Sequence, residues 1–157
     1  MAENIRVRDA VSPEDVNAAR RLFLAYSESL DVDLCFQGFD DEMARFPGEY
    51  QPPTGALLIA EAGDQVVGTV GLRPAPDHQA EMKRLYLTDA ARGLGLGRAL
   101  TEAVIDRARA LGYRGVVLDT LSSMTAAQEI YRKRGFREYT PAQDGGHPDL
   151  LYFRLTF

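Results

Sequence analysis

The chain has 157 residues, 45% of them hydrophobic and 26% charged, with a formal charge of −5 and one cysteine, Cys35. That length suffices for one domain over residues 1–157 with a full core, and the composition is that of a globular rather than a disordered chain. A lone cysteine excludes an internal disulfide framework, no apolar run approaches the ~20 residues that span a bilayer, and the acidic balance disfavours nucleic acid and anionic lipid as partners. The polar start Met1-Ala2-Glu3-Asn4 lacks the layout of a secretion signal, so a cytoplasmic location is expected.

Asn4 to Arg8 alternates apolar and polar residues and predicts a first strand. Ser12-Pro13-Glu14-Asp15 supplies an N-cap, a proline for the first helical position and acids for the first turn. A helix should run from there to about Leu30, with Val16, Ala19, Phe23, Tyr26 and Leu30 as its apolar stripe. A short second helix is expected from Asp40 to Phe46, stopped by Pro47-Gly48, and Gln51 to Gly55 reads as loop. Ala56–Ala60 and Gln65–Leu72 form a predicted hairpin around Ala62-Gly63-Asp64, and Glu81–Leu87 is the next strand.

A glycine-rich turn, Arg92 to Gly97, then leads into helical spacing that ends near Gly112. Val116-Val117-Leu118 suits a buried strand, Ser122-Ser123 a cap for a helix reaching Arg134 with Gly135 as its stop, and Leu150–Phe157 a last strand. The pattern is that of a mixed α/β (α+β) domain. His78 and His147 stand far apart without neighbouring ligands at metal spacing, so no metal is expected.

The segment Arg92-Gly93-Leu94-Gly95-Leu96-Gly97-Arg98-Ala99, between a strand and a long helix, predicts a phosphate site. Backbone N–H groups at a helix start lack partners, the aligned dipoles add partial positive charge, and glycines let phosphates approach. A dinucleotide fingerprint would need glycine where Arg98 stands, and a P-loop would need Lys-Ser or Lys-Thr after Gly97. What fits is Arg/Gln-x-x-Gly-x-Gly/Ala, through Arg92, Gly95 and Gly97. The segment resembles the acetyl-CoA signature of the GNAT superfamily of N-acetyltransferases. Glu81 to Leu87 is similar to that family's fourth strand, and Ile130-Tyr131-Arg132-Lys133-Arg134-Gly135-Phe136 to its later helix end and Gly-Phe turn.

The resemblance implies a central, mostly antiparallel sheet of six to seven strands flanked by about four helices, its fourth and fifth strands splayed around the pantetheine arm of acetyl-CoA. It implies cofactor contacts at Leu85, Tyr86 and Leu87 and at Arg92, Gly93, Leu94, Gly95, Leu96, Gly97, Arg98 and Ala99. Tyr131 matches the residue that protonates the departing thiolate, although Met124, Ala127 and Tyr131 share a face and the ring can equally serve packing. Glu81 matches a carboxylate that deprotonates the amine through water. Seven residues before Tyr131 many relatives carry an asparagine that touches the cofactor; here it is Met124. The acceptor, a small-molecule or peptide amine, would bind between the first helices and the sheet, with Tyr26, Asp31, Asp33, Phe36, Phe39 and Tyr50 as candidates. Acids there would hold a cationic amine, whereas Arg73, Lys83 and Arg84 would hold a carboxylate; the sequence leaves both open. Cys35 has no base partner, so direct transfer is expected rather than an acyl-enzyme. A non-catalytic acyl-CoA sensor is the alternative, and homodimers occur among similar enzymes.

Overall fold

A computed structural model describes residues 4–30, 32–142 and 147–157. Strand β1 (Ile5–Asp9) leads to helix α1 (Pro13–Ser29), a 3-10 turn (Leu34–Gln37) and helix α2 (Phe39–Ala44). Strands β2 (Ala56–Ala62), β3 (Gln65–Ala75) and β4 (Gln79–Leu87) follow, then helix α3 (Leu96–Ala110), β5 (Gly115–Leu121), helix α4 (Thr125–Arg134), β6 (Arg137–Glu138) and β7 (Leu150–Thr156). The strands form one mixed sheet in the order β1-β2-β3-β4-β5-β7-β6, antiparallel throughout except where β4 meets β5.

Local chemistry sets the element ends. Ser12 caps α1 through its hydroxyl, which accepts the Asp15 N–H at 3.1 Å, while the Asp15 carboxylate reaches back to the Ser12 N–H. Asp15 also receives Arg8 of β1 through two bonds of 2.6 and 2.9 Å, which ties the first helix to the sheet. That guanidinium holds the Asp15 carboxyl well below the usual carboxylate range. The expected serine cap of α4 does not form: Met124 is the N-cap residue and no side chain caps it. Ser122 and Ser123 instead turn the chain out of β5, and the Gln128 side chain donates to the carbonyls of Leu121 and Ser122 at 3.0 and 3.2 Å. Gly135 ends α4 at φ 107°, as expected.

Each sheet face carries its own core. On one, Leu100, Val104, Ile105 and Ala108 of α3 and Tyr131 of α4 pack on Leu58, Leu72, Met82, Val116, Leu118 and Phe153. On the other, Ala19 and Phe23 of α1 and Phe39 and Met43 of α2 cover Leu57, Ile59 and Tyr50. Burial of these side chains on both faces, at about 1.5–3 kcal/mol each, is what fixes the helices to the sheet.

β4 contains one residue more than its partner. Gly71 pairs with Lys83 and Thr69 with Tyr86, so Arg84 and Leu85 together face Val70, and Arg84 takes φ 62°. Before this bulge Met82 faces α3 while Lys83 faces the α1/α2 side; after it Leu85 and Leu87 pack toward α3 and Tyr86 meets Tyr26 of α1.

Candidate active site

The site begins where β4 and β5 part. Their register is limited to Ala80–Val116 and Glu81–Val117, and beyond these pairs β5 continues beside β7 alone. The edge of β4 that faces β5 thus loses its strand partner beyond Glu81, leaving backbone groups in the gap that an extended ligand could pair with. Leu85, Tyr86 and Leu87 lie along this edge, half-buried.

At the end of β4 a second 3-10 turn (Asp89–Ala91) brings the chain to the glycine loop. Gly93 and Gly95 take φ 76° and 70°, where a side chain would be strained, and Gly95 is the N-cap of α3 with no side-chain cap bond. The first backbone bond into the helix is Ala99 N–H to Gly95 C=O at 3.1 Å, so the preceding amides of the first turn point outward for a ligand. A cleft of about 470 Å³ opens there, lined by Leu87, Thr88, Arg92, Gly93, Gly97, Arg98 and Ile130 among others. Arg92 and Arg98 are exposed at its rim, whereas the Leu96 side chain is buried in the core and those of Leu94 and Ala99 pack against it. Their contribution to a phosphate would come from backbone alone.

The opposite face of the splay carries a network of charged side chains. Arg84 is buried, donates to both Glu42 oxygens at 3.2 and 3.1 Å and to Gln37 Oε1 at 2.7 Å, and lies over the Phe39 ring at 5.2 Å. Arg73 holds Glu81 at 2.9 Å and stands 3.8 Å from Glu42. The Lys83 ammonium, 4% exposed, sits 3.8 Å from both Glu81 and Asp119 and 3.3 Å from Gln37 Oε1. Burial pulls its pKa down against the opposing pull of those two carboxylates. Gln37 completes the network by donating to both Asp119 oxygens at 3.3 Å.

Arg73, Lys83, Phe39 and Tyr26 therefore do meet on one face, but the cations expected to hold a carboxylate are engaged by Glu42, Glu81 and Asp119 rather than left open. Asp33 is exposed and caps the 3-10 turn through the Cys35 N–H at 2.9 Å. Asp31 and the Phe36 side chain lie outside the described residues. Three members of the network, Gln37, Glu42 and Asp119, escaped sequence reasoning. Their partners are far away in the sequence, and no local motif marks such pairs.

Tyr131 is 4% exposed and packs against Phe136 and Phe153 on the α3/α4 side. Tyr26 and Asp119 lie within electrostatic range of its phenol. Burial first, and those two groups next, push its pKa upward, so the hydroxyl keeps its proton.

The family model described as the acetyltransferase (GNAT) family matches residues 18–136. An uncharacterised N-acetyltransferase of Schizosaccharomyces pombe is 34% identical over 154 residues, 97% of this chain and 94% of that protein. The N-acetylaspartate synthetase of Danio rerio is 33% identical over 148 residues, 88% of this chain but only 50% of its own length. Among solved structures, yncA of Salmonella typhimurium with its cofactor acetyl-CoA superposes with a TM-score of 0.75 at 21% identity, over 97% of this chain and 93% of that one. With its splayed sheet, open helix start and matching sequence, the chain belongs to the GNAT acetyltransferase family.

Proposed function

We propose that this protein moves an acetyl group from acetyl-CoA directly to a primary amine, with both substrates bound at once and residues 1–157 acting as one domain. The observation that carries the proposal is the continuity of two binding features: the uncapped start of α3 and the unpaired edge of β4 that leads to it. Amides of the α3 first turn would hold the diphosphate of acetyl-CoA, with Arg92 and Arg98 at the rim, and the backbone of Leu85–Leu87 would pair with its pantetheine arm. The co-substrate supplies an activated thioester carbonyl; the chain orients it and manages protons.

Tyr131 is the general acid in this proposal. A buried phenol with a raised pKa does not ionise at neutral pH, and it can give its proton to a thiolate that forms beside it. The amine must lose a proton before its lone pair can attack, and a carboxylate on the network face would take it, directly or through water. Glu81 stands there, but one of its oxygens already holds Arg73. An acceptor with a carboxylate, as the name of the Danio rerio synthetase implies for that protein, is disfavoured because Arg73, Lys83 and Arg84 are all engaged with acids of the chain itself.

Calorimetry with acetyl-CoA and thiol release in the presence of amines test the proposal. Binding with turnover is expected, and Tyr131→Phe should lower kcat by about 10²-fold or more while leaving acetyl-CoA affinity within about threefold. Binding without turnover of any amine, peptide amines included, would make the protein an acyl-CoA sensor instead; absence of binding would end both readings.

A further inference from the structure

We propose that Asp119 is the group that receives the acceptor's ammonium and takes its proton, and that the acceptor is a primary amine with no carboxylate on the adjacent carbon. This rests on the acetyltransferase reading above and deepens it. Asp119 lies on β5 two residues past the last β4 pair, on the same face as Glu81 and at the opening of the splay. Both carboxylates line a cleft of about 660 Å³ that extends over β5 and β7.

The two acids differ in how they are held. Among the described residues Glu81 accepts a 2.9 Å bond from Arg73, whereas Asp119 is met by the Gln37 amide at a long 3.3 Å and the Lys83 ammonium at 3.8 Å. Asp119 thus keeps its charge balanced from behind by a buried cation while its lone pairs remain open toward the cleft. Its charge also falls within electrostatic range of the Tyr131 hydroxyl, the proton donor of the proposed reaction.

The same layout selects the substrate. Groups that face Asp119 from β4 are Glu81 and Lys83; Tyr26 comes from α1 and Tyr131 from α4. From the far side of the cleft Asp77 adds another acid, and Arg154 is drawn over the Tyr139 ring at 4.7 Å. Among the described residues the cleft wall thus carries three carboxylates, Asp77, Glu81 and Asp119, against one cation, Arg154, so an ammonium seated on Asp119 has mostly acids as its charged surroundings. A carboxylate one carbon from that ammonium would face them with like charge and find Lys83 enclosed and shared.

The proton count closes. The ammonium gives one proton to Asp119; the freed lone pair forms the C–N bond as the C–S bond breaks; the sulfur leaves with the Tyr131 proton. The surplus proton on the new amide nitrogen restores the phenol through water, and Asp119 returns its proton to solvent.

The test uses the full chain, with phenethylamine, tyramine and histamine set against phenylalanine, tyrosine and histidine, and thiol release followed from pH 6 to 10. In each pair the amine should exceed its amino acid by about tenfold or more in kcat/KM, the discrimination that about 1.4 kcal/mol of like-charge contact gives. Asp119→Asn should bind acetyl-CoA normally yet lose about 10²-fold in kcat/KM near pH 7. That loss should shrink as rising pH supplies free amine. Asp119→Glu should restore part of the rate and the parental pH profile, and Gln37→Ala should keep the parental profile. Asp119→Asn at the parental rate, amino acids used as well as their amines, or acetyl-CoA bound with none of the six acetylated would each overturn the proposal while leaving the acyl-CoA site standing. Failure to bind acetyl-CoA at all would remove the acetyltransferase reading with it.

Discussion

Glu42→Ala should be among the most destabilising single changes on the α1/α2 face. The Arg84 guanidinium is buried, and among the described residues Glu42 is the carboxylate that meets it, through two bonds of 3.1 and 3.2 Å. Gln37 at 2.7 Å and the Phe39 ring would remain, but neither carries a negative charge. Removing one member of a buried ion pair costs about 3–5 kcal/mol, because the other is left charged and dry. For a domain of this size that cost lowers Tm by about 10 °C, at roughly 2–4 °C per kcal/mol. The reverse change, Arg84→Met, should cost less, since Glu42 keeps Arg73 at 3.8 Å. Glu42→Leu combined with Arg84→Met should recover most of the loss, because an apolar pair no longer requires desolvated charges. Urea titrations of the four proteins, read by circular dichroism, measure this directly. A Glu42→Ala protein within about 1 kcal/mol of the parent, or no weaker than Arg84→Met, would refute the argument that Arg84 depends on Glu42.

Two further outcomes follow from the site and the first helix. Gly97→Ala would place a methyl 3.0 Å from Ile130 Cδ1 and 3.3 Å from Leu87 Cδ1, both movable tips that line the cleft. Stability should change by less than about 1 kcal/mol, offset by the better helix propensity of alanine, while acetyl-CoA affinity drops about tenfold by calorimetry. Ser12→Ala should cost about 1 kcal/mol in the same urea assay by removing the α1 cap. Asp15→Asn should be less stable than the parent at neutral pH. Because the folded carboxyl titrates below its unfolded value, its contribution is complete above about pH 5 and fades as acid protonates the unfolded chain first. The gap between parent and variant should therefore narrow from pH 5 toward pH 2, and a constant gap would refute the sign.

The parts of the protein that read correctly from sequence are those governed by neighbours in the chain. The Ser12-Pro13-Glu14-Asp15 cap, the stop at Gly135 and the glycine turn that opens α3 each need only residues a few positions apart. The α4 cap failed because Ser122 and Ser123 were claimed by a turn out of β5, with the Ser122 N–H donating to Asp149 C=O across the loop. β6, two residues long, is too short to show a period, and it exists only because Arg137 and Glu138 lie against β7. The acceptor side was legible in residue type but not in partnership. Acids and bases were both expected there, yet which of them remain available is decided by Gln37, Glu42 and Asp119, brought in by tertiary folding.

The extra residue in β4 restricts how this chain can vary. Side chains along a strand alternate, so a single inserted position swaps inside and outside for everything downstream. In β4 it joins two half-strands of opposite phase: one sets Glu81 and Lys83 in the charged network on the α1/α2 side, the other sets Leu85 and Leu87 against the core beneath α3. Losing one residue near Arg84 would send one of these half-strands to the wrong face, so this stretch can accept replacements but not a change of length.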